Sequence, residues 1–277
     1  MRYARALRAA SFVLAGGLIW TGCSSGADDT KSKSKADSKT SADAKGSTPT
    51  KRPTPQPSPS PDAFDFDPDP SRAPKTPADG VRIARAVAAG PELLGPDFVR
   101  RTPFETDPAT WAVLDTDCVW QRSPLPAGVL ASLTRRSELP AEGAKGPMFF
   151  ATVVTVHRDV SSADWELARS LEEALRCPDQ QLSRNERVVG LISQGTTFGA
   201  GGNRFAEDSI GEAGDYYNDQ GGGPYDYYWD QARIGQVTVA VVGKGGKGRT
   251  DQDMNGAIQR AISPMLIRAE NEQEAAR

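Results

Sequence analysis

The sequence predicts an α+β domain: a central antiparallel sheet with helices packed mainly on one face. Three observations carry this. Several runs alternate apolar and polar residues with the period of a strand. Those runs often follow one another with no helix between them. Only two long segments have the 3.6-residue spacing of an amphipathic helix.

In chain order, the first 22 residues read as a secretory signal. Arg2, Arg5 and Arg8 form a positive start, Ala9 to Ile19 is apolar, and small Thr21 and Gly22 precede Cys23. The apolar stretch is well short of the roughly 20 residues a bilayer-spanning helix needs, so another anchor is expected. The segment Ile19-Trp20-Thr21-Gly22-Cys23 resembles the lipobox of bacterial lipoproteins, with Trp20 where Leu is usual. The resemblance implies that Cys23 carries lipid, palmitate among its acyl chains, and that the N-terminus is held to the outer face of a cell membrane. Buried acyl chains contribute about 0.8 kcal/mol per CH2, so two or three would hold the chain firmly.

Residues 23–62 are Ser, Thr, Lys, Asp and Pro with almost nothing apolar, and read as a disordered tether. The Pro-rich second half favours extended polyproline II and acts as a spacer rather than a PxxP ligand. A single domain is expected over 63–277, with its core at about 81–270. Phe64 and Phe66 are expected to dock on it. Asp65, Asp67 and Asp69 resemble the start of a calcium loop, but Pro70 replaces the required Gly and Thr76 the closing Glu, so a solvated acidic stretch is expected.

Within the domain, a short helix is expected at Val81 to Ala89. Strand-like runs are Trp111–Leu114, Gly128–Thr134, Phe149–His157, Val188–Ile192, Tyr225–Arg233 and Ile234–Val242. In the last, Val237, Val239 and Val241 share one face while Gln236 and Thr238 take the other, as in a sheet buried on one side and wetter on the other. The first long helix follows the capping hydroxyls of Ser161 and Ser162, with Leu167, Leu171, Ala174 and Leu175 on one stripe, and stops at Pro178. The second spans Asp251 to Glu270, with Met254, Ala257, Ile258, Ala261, Ile262, Met265 and Leu266 on one face and a kink expected at Pro264.

Cysteine arithmetic supports export. With Cys23 assigned to lipid, Cys118 and Cys177 remain; they are expected to pair in an oxidising compartment, the alternative being two buried thiols.

Composition excludes several function classes. A formal charge of -3, mixed in sign, offers no basic footprint for nucleic acid. His157 is the one histidine, so multi-histidine metal sites are excluded; no metal or cofactor is expected. Its place at the end of an apolar strand suggests a rim or sheet-edge residue, with no Gly-x-Ser-x-Gly elbow nearby to make it a catalytic base. Gly243 to Thr250 (GKGGKGRT) spaces its glycines almost as a phosphate-binding loop, but Arg249 stands where its lysine belongs, so a mobile basic connection is expected. Gly195 to Gly202 is permissive and unspecific.

The most informative stretch is Asp215 to Gln231 (DYYNDQGGGPYDYYWDQ), which holds five of the six tyrosines. Tyr216, Tyr217, Tyr225, Tyr227, Tyr228 and Trp229 are the candidate ligand-binding residues. Alternation sets Tyr225, Tyr227 and Trp229 on one face and Asp226, Tyr228 and Asp230 on the other, after a turn at Gly221 to Pro224. One set is expected in the core; the other is free to present rings to a sugar, a lipid or a peptide. Glu207, Asp208 and Glu212 offer a competing reading as paired carboxylates of a cell-envelope hydrolase.

With CVW at Cys118 to Trp120, VTVHRDV, ADWELARSLEEALRCP and YYWDQARIGQVTVAVV on the page, the chain resembles the extracytoplasmic sensor domain of PknH-type Ser/Thr kinases over about Leu114 to Arg268. The resemblance implies an α/β domain with a central antiparallel sheet and a ligand cleft. It also implies two disulfides, where only Cys118 and Cys177 are available. Together these readings point to a membrane-tethered, sensor-like binding domain without catalytic activity. Its partner would be an unknown small molecule, envelope polymer or protein. A non-ligand-binding accessory protein is the third reading.

Overall fold

The computed structural model describes residues 64–194 and 205–274. In chain order come helices α1 (Pro77–Val87) and α2 (Pro91–Leu94), then strands β1 (Val99–Glu105), β2 (Thr110–Leu114), β3 (Trp120–Pro124), β4 (Val129–Leu139) and β5 (Met148–His157). Helix α3 (Val160–Arg176) follows, then β6 (Gln180–Ser183), β7 (Glu186–Gln194), β8 (Asp208–Asn218), β9 (Gly222–Ile234), β10 (Val237–Lys244) and helix α4 (Asp251–Gln273). Eight strands form one antiparallel sheet in the order β1-β4-β5-β10-β9-β8-β7-β6, and β2 with β3 forms a separate hairpin. The chain is α+β, as its periodicities predict.

Period-two alternation sorts the sheet into two unlike faces. On one, Val154 and Val156 of β5 and Val237, Val239 and Val241 of β10 meet Ile83, Ala84 and Val87 of α1, Leu94 of α2, and Met254, Ile258, Ile262 and Met265 of α4. Helix α1 starts four residues before Val81 because Thr76 and Asp79 form a reciprocal capping box around Pro77. Gly80 lets it lie tight on β4: a Cβ there would stand 2.8 Å from Leu130 Cβ. Helix α4 has the same kind of start, Thr250 with Asp253, and continues through Pro264. Phe64 and Phe66 pack against this core.

The opposite face is only partly covered, and α3 covers it. Its N-cap is Asp159, whose carboxylate accepts from Ser162 N at 2.7 Å, rather than either serine. The leucine stripe divides: Leu167 and Ala174 are buried, whereas Leu171 and Leu175 are 44% and 77% exposed. The buried side of the helix is instead shared with polar Glu166, Ser170 and Glu173, because it borders a cleft rather than a dry core.

Two boundaries move for turn chemistry. Ile234 ends β9, and Gly235 in the left-handed region (φ 54°) makes the two-residue turn into β10. The β8–β9 turn falls at Asp219 to Gly221, where the Asn218 side chain accepts from Gln220 N and Gly221 N, so Gly222 to Pro224 already belongs to β9.

Candidate ligand cleft

A cleft of about 310 Å³ lies between the partly covered sheet face, α3 and the β2–β3 hairpin. Its floor is set by strand register. Thr238 stands level with Thr155, which stands level with Ser132, and six residues along β10 Lys244 closes the row. That run is about 20 Å long at strand rise. Arg136 of β4 sits toward the Lys244 end, opposite Ala151. Helix α3 contributes Glu166, Arg169, Ser170 and Glu173; the hairpin contributes Trp111, Trp120 and Arg122; β9 contributes Tyr227, Trp229 and Gln231.

The hairpin is held over the floor by several ties. The disulfide Cys118–Cys177 joins it to the end of α3 (S–S 2.06 Å, Cα–Cα 5.6 Å). Cys118 is the one described non-glycine residue with positive φ (60°), a conformation that costs about 1 kcal/mol. Asp115 supports it: its carboxylate accepts from Asp117 N at 3.0 Å and Val119 N at 2.9 Å, and its carbonyl from Cys118 N. Gln181 N donates to Cys118 O at 2.8 Å and Trp120 Nε1 to Gln180 Oε1 at 2.8 Å. The Trp120 ring stacks on Trp229 with centroids 6.3 Å apart, and the Arg169 guanidinium lies 4.5 Å over Trp111. The cleft therefore has an aromatic wall assembled from two elements that the disulfide keeps together.

The two ends of the floor differ electrostatically. At the Thr238 end, Glu166 accepts from His157 Nε2 at 2.7 Å, Thr155 Oγ1 at 3.2 Å and Thr238 Oγ1. Burial opposes its ionisation, but the bonds and charge of His157, with the two hydroxyls, outweigh it and hold the carboxyl below its ordinary range. His157 is the last residue of β5, the third of the eight strands, so it sits at a strand end but not on an edge strand; it is 1% exposed and its Nδ1 has no partner. Ser132 bonds Thr155 at 3.2 Å rather than His157, so nucleophile and base are not joined as an acyl-transfer triad requires. On the α3 wall, burial pushes Glu173 up to about 7 against Arg169 and Arg176. At the other end, burial lowers Lys244, with Glu186 at 2.8 Å opposing the shift. Burial and Arg101 lower Arg136; burial and Arg136 lower Arg122.

Of the six aromatic candidates, Tyr227 and Trp229 line this cleft. Tyr216 is buried beneath that face, donating to Glu186 Oε1 at 2.7 Å, and Tyr225 donates to Gly221 O. Tyr217 lies under Arg187, 4.5 Å from the ring centroid. Tyr228 turns to the other face, toward the main core, and donates to Asp251 Oδ1 at 2.6 Å. The acidic candidates do not gather. Glu207 pairs with Arg233 at 2.7 Å, Glu212 accepts from Ser193 at 3.0 Å, and Asp208 shares a face of β8 with Glu212 but four residues away, about 13 Å. The glycine loop before α4 is pinned rather than loose: Gly146 N donates to Lys247 O at 2.8 Å, and Arg249 donates to Gly146 O at 2.9 Å and Pro140 O at 2.7 Å. Strand β10 before it is antiparallel to both neighbours, so no βαβ phosphate site forms. Among the described residues no group of three His, Cys, Asp or Glu is set to hold a metal. Cys23 and Gly195 to Gly202 lie outside the described residues.

Sequence reasoning missed most of the cleft. Glu166, Ser170 and Glu173 recur at i, i+4 and i+7, a polar stripe on the buried side of α3, and that periodicity was available in ADWELARSLEEALR. Arg122, Arg136 and Lys244 carried no local signal, since strands distant in sequence bring them together.

The fold and site define a cleft-bearing α+β domain. Among solved structures the chain is similar to the extracellular domain of PknH from Mycobacterium tuberculosis, at 10% identity and a TM-score of 0.42, covering 69% of this chain and 96% of that one. It is also similar to an Rv0999 ortholog from Mycobacterium smegmatis, at 11% identity and a TM-score of 0.33, covering 68% and 96%. No family model and no curated protein matches the chain.

Proposed function

We propose that the chain is an extracytoplasmic lipoprotein, tethered through Cys23, whose folded domain receives a ring-bearing small molecule or the ring of an envelope polymer in the hairpin-roofed cleft. The observation that carries this reading is the aromatic wall of Trp111, Trp120 and Trp229 closing a concave site of about 310 Å³. Pockets of this size, mainly apolar with a few fixed polar groups, are the ordinary form of small-ligand sites. The disulfide supports work outside a reducing cytosol. No helix among the described residues is long and apolar enough to cross a membrane, and Cys23 supplies the anchor in this reading. Binding is favoured over hydrolysis because the acidic residues Glu207 and Glu212 are committed to Arg233 and Ser193 instead of facing each other.

Two experiments test it. Mass spectrometry of the mature N-terminus should find a diacylglyceryl Cys23; an unmodified thiol there removes the anchor. Isothermal titration with the neutral ring probe 1-naphthol should show one site in the folded protein, weakened at least tenfold in Trp120→Ala and Trp229→Ala, since each truncation removes contact worth roughly 1.5 kcal/mol or more. Equal affinity in both variants overturns the cleft as the site.

A further inference from the structure

Three cations reach the same end of the cleft from three separate elements. Arg122 comes from the hairpin, Arg136 from β4 and Lys244 from β10. Of these, Lys244 has a carboxylate partner, Glu186 at 2.8 Å, and that carboxylate also accepts from Tyr216. Arg122 is held by neutral acceptors, Thr110 O at 2.6 Å and Thr110 Oγ1 at 2.9 Å, which fix the guanidinium without cancelling its charge. Arg136 makes one long bond, 3.4 Å to Pro103 O. Among the described residues neither arginine forms an ion pair, although Asp107 and Glu186 stand near enough to act on Arg122 and Arg136 respectively. Arg101, 4.2 Å over the Phe149 ring, adds its charge to both Arg136 and Lys244. Three cations lining a half-enclosed cleft, with Arg101 adding charge and only Glu186 and Asp107 near enough to offset it, repel one another unless an anion joins them.

We infer that the Arg122–Arg136–Lys244 end of the cleft is an oxyanion subsite, and that the ligand joins a ring to a phosphate or carboxylate group. This rests on the cleft being the binding site. Guanidinium donors match both oxyanions bidentately, and the ammonium adds a point charge beside them. By register Trp229 pairs with Val242 and Tyr227 with Lys244, so Lys244 stands two strand residues, about 7 Å, beyond the Trp229 row, and Arg136, opposite Ala151, flanks that row from β4.

The test compares three probes on the whole folded chain by isothermal titration: 1-naphthol, 1-naphthyl phosphate and 1-naphthoate. Both anions should bind at least tenfold more tightly than naphthol, and whichever binds more tightly identifies the natural group as phosphate or carboxylate. Arg136→Gln should remove roughly tenfold of that gain and leave naphthol affinity unchanged, with an unaltered melting temperature showing that the fold is intact. In the unmodified protein, raising sodium chloride should weaken the two anions and not naphthol, which gives a reading that needs no variant. If naphthol binds and neither anion binds more tightly, the subsite is refuted while the cleft stands. If the anions bind more tightly but Arg136→Gln changes nothing, the subsite is elsewhere and the inference fails. If no probe binds, the cleft reading itself fails and the subsite with it.

Discussion

Removing the disulfide, by Cys118→Ala with Cys177→Ala, should cost stability and open the roof of the cleft before it melts the core. The two cysteines are 59 residues apart, and releasing a loop of that size frees about 4 kcal/mol of chain entropy in the unfolded state. For a domain of this size one kcal/mol shifts the melting temperature by about 2–4 °C, so a drop of roughly 8–16 °C is expected in calorimetry under non-oxidising conditions. The structure adds where the loss falls. Once the covalent tie is gone, the hairpin is linked to the end of α3 and to β6 through the Gln181 N to Cys118 O bond, the Trp120–Gln180 bond and Arg176 Nη1 on Asp115 O. Hydrogen exchange should therefore accelerate at the β2–β3 amides while those of β5 and β10 keep their protection. A shift below about 2 °C, or acceleration spread evenly over the sheet, would refute the view that this bond positions the cleft wall.

Four further outcomes follow from the buried polar groups. Glu166→Ala leaves His157 with neither ring nitrogen partnered and strands the buried Thr238 hydroxyl, while Thr155 keeps Ser132; denaturant unfolding should show a loss of about 3–5 kcal/mol, and a loss under about 1 kcal/mol contradicts the assignment. Glu173 and Glu212 are both pushed from 4.5 up to about 7 by burial, Glu173 against its arginines and Glu212 with the Glu173 charge adding to the shift. Raised acid pKa values contribute stability that is full below 4.5 and lost as pH rises through about 7, so the melting temperature should fall from about pH 5 to about pH 8 and Glu212→Gln should flatten that fall. Glu166 has the opposite sign: its contribution is present above 4.5 and is lost as pH drops through its lowered folded value, so acid below about pH 4 should destabilise the domain through the His157 pair. Tyr216→Phe removes the donor to Glu186 and the acceptor for Asn218 Nδ2, and should cost about 1–3 kcal/mol in the same unfolding assay.

Elements whose signal is local were legible in the chain. The alternation of Val237, Val239 and Val241 fixed both the strand and the face it buries, and the apolar stripe of α4 fixed its packing. Strand β8 was not legible, because Asp208 to Asn218 mixes Gly, Asp and Glu with few β-branched residues and owes its conformation to pairing with β7 and β9. Strand β1, with Arg100, Arg101 and Pro103, reads as a loop and is held as an edge by β4. The reading of α3 erred in a way that bears on the site. The leucine spacing predicts an inward apolar stripe, yet the helix borders a wet cleft and turns Glu166, Ser170 and Glu173 toward it, leaving Leu175 in solvent. Of the aromatic segment, alternation correctly separated Tyr227 and Trp229 from Tyr228; which set faces a cavity depended on the hairpin, some 100 residues earlier in the chain.

In the proposed function the hairpin-roofed cleft is where this domain takes its ligand. A crystal structure of the chain grown with 1-naphthyl phosphate tests it most directly. The naphthyl ring should lie against the wall of Trp111, Trp120 and Trp229, with the phosphate at Arg136 and Lys244. Density for the probe on the exposed Trp165 and Leu175 side of α3, with the cleft filled by solvent alone, would contradict it.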